Sequence, residues 1–390
     1  MDKVRYGIIG IGKQGGGYAA ALAKGKDKNA VLAAVCDVDK VKLVNAARDW
    51  GVKTYENYEE LIKSGKVDAV IIDTPHYLHP VIGIAALEEG LHVLSDKPIG
   101  VYTKAVRELN ECAARHPKQV FGVLYNQRTN SAYRKAKEIV ESGRLGNLKR
   151  IVWIITNWYR SQAYYDQGGW RGTWGGEGGG VLINQDPHQL DLFTWIAGRP
   201  IKRVWSTAET VGRKINVEND VTAYCEFEGG ASGVFITSTH EFPGTNRLEI
   251  FGSRGNLLLE GGVLTLKKYA QDENEFIKTC PNSFSQPEIA ETQVFRQTDS
   301  FDCHKDILCN FVAAIRGEEP LFVDGKEGIN SVSLMNAMLL SSWLHKDVDL
   351  PIYEDLYFEE LSKRIAESRA GQKKNVIGEI EDNTCSFGGF

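Results

Sequence analysis

The chain is poor in the features that would place it outside the ordinary globular proteins. Among 390 residues there are 3 methionines and an odd number of cysteines, Cys36, Cys112, Cys225, Cys280, Cys303, Cys309 and Cys385. No two of them form a C-x-x-C pair, which argues against a disulfide framework and for a reduced, cytoplasmic setting. Cys303, His304 and Cys309 come nearest to a metal cluster, but their spacing fits no common zinc ligand set, so no metal is expected. No uninterrupted apolar run reaches the roughly 18–20 residues of a membrane span, and no signal-peptide core precedes the first strand-like segment. With 46 basic against 51 acidic side chains the formal net charge is −5. There is no basic stripe to hold nucleic acid. No 20–50-residue internal repeat is present.

What the chain does have is an ordinary globular composition, 42% hydrophobic and 25% charged. Its length is generous for one core, so two domains are expected. The first 125 residues alternate apolar strands ("VRYGIIG", "AVLAAVCD", "VDAVIID", "LHVLSD", "QVFGVLY") with helical stretches at Gln14–Lys24, Lys40–Asp49, Tyr58–Lys63, Pro80–Glu89 and Lys104–Arg115. Continuous apolar strands separated by helices indicate a parallel sheet covered on both faces. After Ser131–Ser142, a junction helix, the pattern changes to period-2 strands with Gly-rich turns, as antiparallel sheets require. These run from "LKRIVWIITNW" through "IKRVWSTAET", "DVTAYCEFEGG", "ASGVFITSTHEF", "NRLEIFGSRG" and "NLLLEGG" to "VLTLKKYA". Helices at Lys305–Arg316 and Gly325–Trp343 follow. The expected architecture is an α/β Rossmann domain plus an α+β domain with an open, mostly antiparallel sheet. The boundaries are 1–126, 127–355 (its late helices packing back toward the first domain) and 356–390, a C-terminal helix and loosely held tail.

Gly10-x-Gly12-x-x-Gly15 follows the first strand and opens an Ala-rich helix, the context in which such a motif has a mechanism. Gly10 allows a tight turn, Gly12 lets a pyrophosphate approach the backbone, and Gly15 lets helix and strand pack closely. Lys13 and Gln14 lie within the same turn. The next strand ends in Asp37, 27 residues after Gly10. An acid there accepts from the adenosine ribose hydroxyls and repels a 2′-phosphate, so NAD is favoured over NADP. Thr74-Pro75 with nearby His79, and Asp96-Lys97-Pro98, follow later strands, at the edge where open α/β sheets bind ligands.

In the second half, "EGGGVLINQDPHQLDLFTWIAG" sets Asn184, Asp186 and His188 ahead of an apolar helix. Asp186 and Pro187 have the character of a cap and first helical residue, while Asp186 and Asn184 are also candidates for a catalytic or substrate contact. His188 is either a half-buried structural side chain or a proton acceptor. Upstream, "NWYRSQAYYDQGGWRGTWGG" interleaves Trp158, Tyr159, Tyr164 and Trp170 with Arg160 and Arg171. Aromatic faces stack on the C–H faces of pyranose rings while guanidinium groups reach hydroxyls. The same composition also serves a sheet core or an oligomer interface. Arg128, after the sixth strand, either contacts substrate or holds the junction helix.

The chain resembles the glucose–fructose oxidoreductase and inositol dehydrogenase (Gfo/Idh/MocA) family over roughly residues 4–352. The resemblance is carried by "GIIGIGKQG", Asp37, "DTPHYLHPVIGIAALEEGLHVLSDKPIG", "GGGVLINQDPHQLDLFTWIAG" and "FVAAIRGEEPLFVDGKEGINSVSLMNAML". It implies a Rossmann domain joined to an open sheet with NAD and substrate between them, and homo-oligomers (dimer, tetramer or hexamer) built through that sheet. It also implies that Lys97, in a Glu-Lys-Pro-like motif whose acid is here Asp96, lies near the nicotinamide, and that His188 is the general base. The family often has an acid four residues before that histidine, where this chain has Asn184. The implied reaction is NAD-dependent oxidation of a secondary hydroxyl of a sugar or glycoside. The resemblance is nearest to members acting on glucosides or anhydro-sugars, some at the C3 hydroxyl and some starting C-glycoside breakdown. An NAD-retaining glycosidase and a non-catalytic nucleotide sensor are the competing readings.

Overall fold

Five short apolar segments with no room for a polar face must be buried on both sides, and the computed structural model places them in one parallel sheet, with a short sixth strand at its edge. The structure describes residues 3–25, 27–167, 169–298 and 303–371. The tail beyond these, including Cys385, lies outside the described residues. In chain order the elements are β1 (Val4–Ile9), α1 (Lys13–Ala23), β2 (Ala30–Cys36), α2 (Lys40–Trp50), β3 (Lys53–Tyr55), α3 (Tyr58–Ile62), β4 (Ala69–Ile72), α4 (Leu78–Glu88), β5 (His92–Ser95), α5 (Thr103–Arg115), β6 (Phe121–Val123), α6 (Ser131–Glu141) and β7 (Leu148–Ile155). They continue with α7 (Gln162–Tyr165), α8 (Val181–Asn184), α9 (Pro187–Ala197), β8 (Ile201–Glu209), β9 (Asp220–Phe227), β10 (Ser232–Ser238), β11 (Asn246–Gly252), β12 (Gly255–Glu260), β13 (Val263–Tyr269), α10 (Glu273–Thr279), β14 (Ile289–Arg296), α11 (Cys303–Ile315), α12 (Gly328–Leu344), β15 (Val348–Asp349) and α13 (Glu354–Gly371).

The chain divides into two compact units. The first comprises Met1–Asn126 and Asp302–Val332. Its sheet has the order β3-β2-β1-β4-β5-β6, the doubly wound arrangement whose switch point lies between β1 and β4. β4 is buried at every position, and Tyr6 and Ile8 of β1 are fully buried. Helix α11 adds Phe311, also fully buried, with its ring centroid 6.5 Å from that of Tyr6.

The second unit comprises Gln127–Phe301 and Ser333–Phe390. Its nine-stranded sheet has the order β14-β13-β12-β11-β7-β10-β9-β8-β15. The only parallel pairing in it, among the described residues, is β10 with β7. One face carries Trp153, Phe227 and Phe235, all fully buried. Phe193 of α9 packs on Phe235 and Phe227 at 5.5 and 5.6 Å between ring centroids. Each fully buried Phe is worth about 1.5–3 kcal/mol. Gly233 makes that approach possible, since a Cβ there would stand 2.8 Å from Phe227 and 2.9 Å from Phe193. On the opposite face the cross-strand row Trp205, Tyr224, Val234 and Val152 is exposed or half-buried.

Periodicity did not reveal β3, β14 or β15. β3 has three residues and β15 two, too few for a period to show. β14 is an edge strand with six of eight positions exposed, so it carries no apolar alternation.

Candidate active site

Four parallel strands of the first unit end level with one another: Ile9 is in register with Cys36 and with Ile72, and Ile72 with Ser95. The residues that follow them are Gly10, Asp37, Asp73 and Asp96. Gly10 has φ +89°, and a Cβ there would lie 2.1 Å from the Asp73 carbonyl oxygen. The turn therefore requires glycine twice over. Gly12 precedes α1 with no side chain capping the helix, and a Cβ on it would meet nothing within 4 Å. Space in front of an uncapped helix N-terminus is what a pyrophosphate needs. Lys13 is exposed and Gln14 half-buried at the same turn. Asp37 accepts from the Ile11 N–H at 2.9 Å and the Asp39 N–H at 2.9 Å, and lies 3.4 Å from Lys42 Nζ. These contacts fix it at the end of β2. The residues present thus fit the dinucleotide.

His79 is buried, with Nδ1 2.7 Å from the Pro98 carbonyl and Nε2 2.7 Å from the Thr74 carbonyl. Burial pushes its pKa below the ordinary value. Expected as a cofactor contact, His79 instead spends both ring nitrogens bracing the two loops that carry Thr74-Pro75 and Lys97-Pro98. Asp96 Oδ1 accepts from the Lys97 backbone N–H at 2.7 Å, and the Lys97 residue is half-buried. Asp73 follows β4 as Asp96 follows the paired β5, and it accepts the Gly15 N–H through Oδ2. Burial first, and the neighbouring Asp96 second, lift the Asp73 carboxyl to about 8.

In the second unit the aromatic stretch does form a cluster. The Tyr164 hydroxyl receives Arg171 NH1 at 2.8 Å and Gln185 Nε2 at 3.1 Å, and donates to Asn184 Oδ1 at 3.0 Å. Arg171 lies over the rings of Tyr164 and Trp170, 4.8 and 4.7 Å from their centroids, and Arg160 lies 5.2 Å over Tyr164. Burial raises the Tyr164 phenol above its usual range, so it remains a neutral hydroxyl. Asp186 immediately precedes α9 and Pro187 is the first helical residue, but the Asp186 carboxylate does not cap the helix. It accepts from Trp158 Nε1 at 3.1 Å and is completely buried. His188, one residue into α9, is 8% exposed. Tyr159 stands apart, 48% exposed and packed with Phe242 and Arg213. Arg128 forms a buried two-pronged bond to Asp191 of α9, 2.8 Å through Nε and 2.6 Å through NH2. This spends the fork that a substrate would need, so Arg128 ties the junction segment to α9.

Three acids escaped the sequence reading. Asp73 is one. Glu177, 2% exposed, accepts from Gly172 N–H at 2.7 Å and from the Asn184 amide, and lies 3.5 Å from Arg171. Glu218, fully buried, accepts from the backbone N–H groups of Gly180 (2.9 Å) and Leu182 (3.2 Å) and so caps α8. Its carboxyl is raised to about 7, chiefly by burial. An acid amid six glycines within residues 172–180 was the available signal for Glu177. Glu218, in "VENDV", looks like surface. Elsewhere Asp220, His240 and Glu241 bring ligand-type atoms within 4.8 Å of one another, with His240 Nε2 2.5 Å from Asp220 Oδ2. The imidazole there is already engaged by a carboxylate.

Residues 4–124 match the model of an oxidoreductase family with an NAD-binding Rossmann fold, and residues 133–258 match the GFO/IDH/MocA C-terminal domain. A myo-inositol 2-dehydrogenase of Thermotoga maritima is 28% identical over 83% of this chain and 92% of its own length. A 1,5-anhydro-D-fructose reductase of Ensifer adhaerens is 25% identical over 72% and 79% respectively. Among solved structures, the WlbA dehydrogenase of Bordetella pertussis in complex with NADH and UDP-GlcNAcA superposes with a TM-score of 0.75 at 25% identity, covering 90% of this chain and 99% of that one. An open glycine turn at the ends of level parallel strands, followed by a helix-backed antiparallel sheet, is thus matched model by model along the sequence. The chain belongs to the Gfo/Idh/MocA family of NAD-binding oxidoreductases.

Proposed function

We propose that the protein oxidises a secondary hydroxyl of a sugar or glycoside, delivering the hydride to NAD, with the C3 hydroxyl of a glucoside (C-glucosides included) as the target. The observation that carries this is the cluster of Trp158, Tyr164, Trp170, Arg160 and Arg171 beside Asn184, Gln185 and Asp186, in the segment that leads into His188. Such a lining offers stacking faces for a pyranose and neutral or cationic donors for its hydroxyls. The named relatives support the substrate class, since their names specify inositol, anhydrofructose and a nucleotide sugar.

Bound NAD supplies the hydride acceptor; the protein supplies position and proton handling. In this reading an imidazole nitrogen of His188 takes the hydroxyl proton, a task suited to a group titrating near neutrality. The Lys97 ammonium steadies the negative charge that develops on the same oxygen. Asp186 fixes Trp158, and Asn184 with Gln185 fixes Tyr164. The first unit is assigned to NAD, and the second to substrate and to self-association through the open face of its sheet.

Purified protein incubated with NAD⁺ and inositol, glucose, O-glucosides or C-glucosides tests this. NADH absorbance should rise together with a two-hydrogen mass loss in one sugar or glycoside. Aglycone release without NADH would replace the reading with that of an NAD-retaining glycosidase. No reaction and no change in bound nucleotide across the panel would remove the sugar assignment.

A further inference from the structure

Parallel register brings two aspartates together under the glycine turn. β4 and β5 pair with Ile72 opposite Ser95, and the Asp96 N–H donates to the Ile72 carbonyl at 2.8 Å, so the next residues, Asp73 and Asp96, stand side by side. Burial first, and then the Asp96 carboxyl beside it, raise the Asp73 carboxyl, the direction expected where two neighbouring acids favour holding one proton between them. Asp96 is bonded to the Lys97 N–H. Asp73 is bonded to Gly15 N–H within the first turn of α1, the backbone that also has to face the dinucleotide phosphates. A Cβ on Gly15 would stand 2.7 Å from Asp73 Oδ2. The Asp73 oxygen and the phosphates therefore address the same helix end.

We propose that Asp73 is a proton-dependent latch on the dinucleotide site: protonated, it holds the glycine turn in place without charge, and ionised, it repels the anionic phosphates and weakens NAD(H) binding. The inference rests on the binding of dinucleotide at this turn and adds its regulation. The charged and titratable groups facing Asp73 are Asp96 and Lys97 beyond β5 and Tyr18 on α1, with His79 on α4 next to Asp96. Burial lifts the Tyr18 phenol well above its ordinary range and lowers His79. Neither of them changes charge in the window just above neutrality where Asp73 ionises. The sign follows from the charges. A bound anion favours the neutral acid, so binding takes up a proton once the free protein has lost it. The dissociation constant then rises with pH, approaching about tenfold per pH unit above the Asp73 transition.

NADH titrations by fluorescence from about pH 6.5 to 9.5, with calorimetry in buffers of unlike protonation enthalpy, test this without turnover. The native protein should show a flat dissociation constant at the acid end and a tenfold or greater weakening at the alkaline end, with proton uptake near pH 9. Asp73→Asn should lose both the slope and the uptake. Asp96→Asn should move the transition to lower pH, because Asp73 no longer shares its site with a second carboxylate. A flat native curve overturns the latch while leaving dinucleotide binding intact, and so does a slope that survives in Asp73→Asn, which would assign it to Lys97. Absence of NADH binding at every pH overturns the binding reading and the latch together.

Discussion

His188 is buried at the start of α9, and in the proposed reading it is the group that takes the hydroxyl proton. His188→Ala is expected to lower turnover by about 10²–10⁴-fold. NADH affinity should be retained, as steady-state rates and fluorescence titration on one preparation will show. Glu177 makes the opposite case, a residue without assigned chemistry that the polar cluster depends on. Glu177→Ala strips an acceptor from Gly172 N–H and from the Asn184 amide, both in its buried surroundings. Leaving such groups unsatisfied costs about 1–3 kcal/mol each. Thermal unfolding should register the loss. KM for the sugar should rise more than kcat falls, because Asn184 and Arg171 position Tyr164.

The short helix α8 carries Asn184 and is held by a single carboxylate. Glu218 caps it, and Gly180 leaves the room: a Cβ there would lie 1.8 Å from the Glu218 carbonyl oxygen. The Glu218 carboxyl is raised from 4.5 to about 7, so the folded chain prefers it protonated. Stability from this group is therefore fully present below the unfolded value and is lost as pH rises through about 7. A shift of that size corresponds to ~3 kcal/mol. Glu218→Gln removes this component. Between pH 5 and 8 the stability difference, measured by denaturant unfolding, should move in favour of the variant by up to that amount. A parallel pair of curves would show that Glu218 is ionised in the fold throughout.

At the scale of the molecule, the open face of the nine-stranded sheet is an uncovered apolar surface among the described residues. Trp205 and Tyr224, neighbours across β8 and β9, are 48% and 43% exposed, and Val234 and Val152 continue the row half-buried. This strip is the surface through which the proposed self-association would form. Light scattering on native protein should give an oligomer, and Tyr224→Glu with Trp205→Lys should reduce it to monomer while leaving NADH binding in place.

Much of this molecule was legible in its linear pattern. Continuous apolar runs such as "VIID" have no polar side to expose and so dictate a parallel, doubly covered sheet. Gly10 is demanded by its left-handed backbone and Gly15 by the close approach of the Gly10 carbonyl, and Pro187 suits the helix start before His188. Local periodicity reports which face of an element is buried, and nothing about which distant element covers it. The pairing of Asp73 with Asp96 exists only because β4 and β5 align Ile72 with Ser95. The pairing of Arg128 with Asp191 spans 63 residues. Glu218 has the sequence signature of a surface acid, and became a buried ligand of backbone N–H groups through packing alone. Strand order, register and the burial of charge are set by contacts between residues far apart along the chain, and those contacts come into being only when the chain has folded.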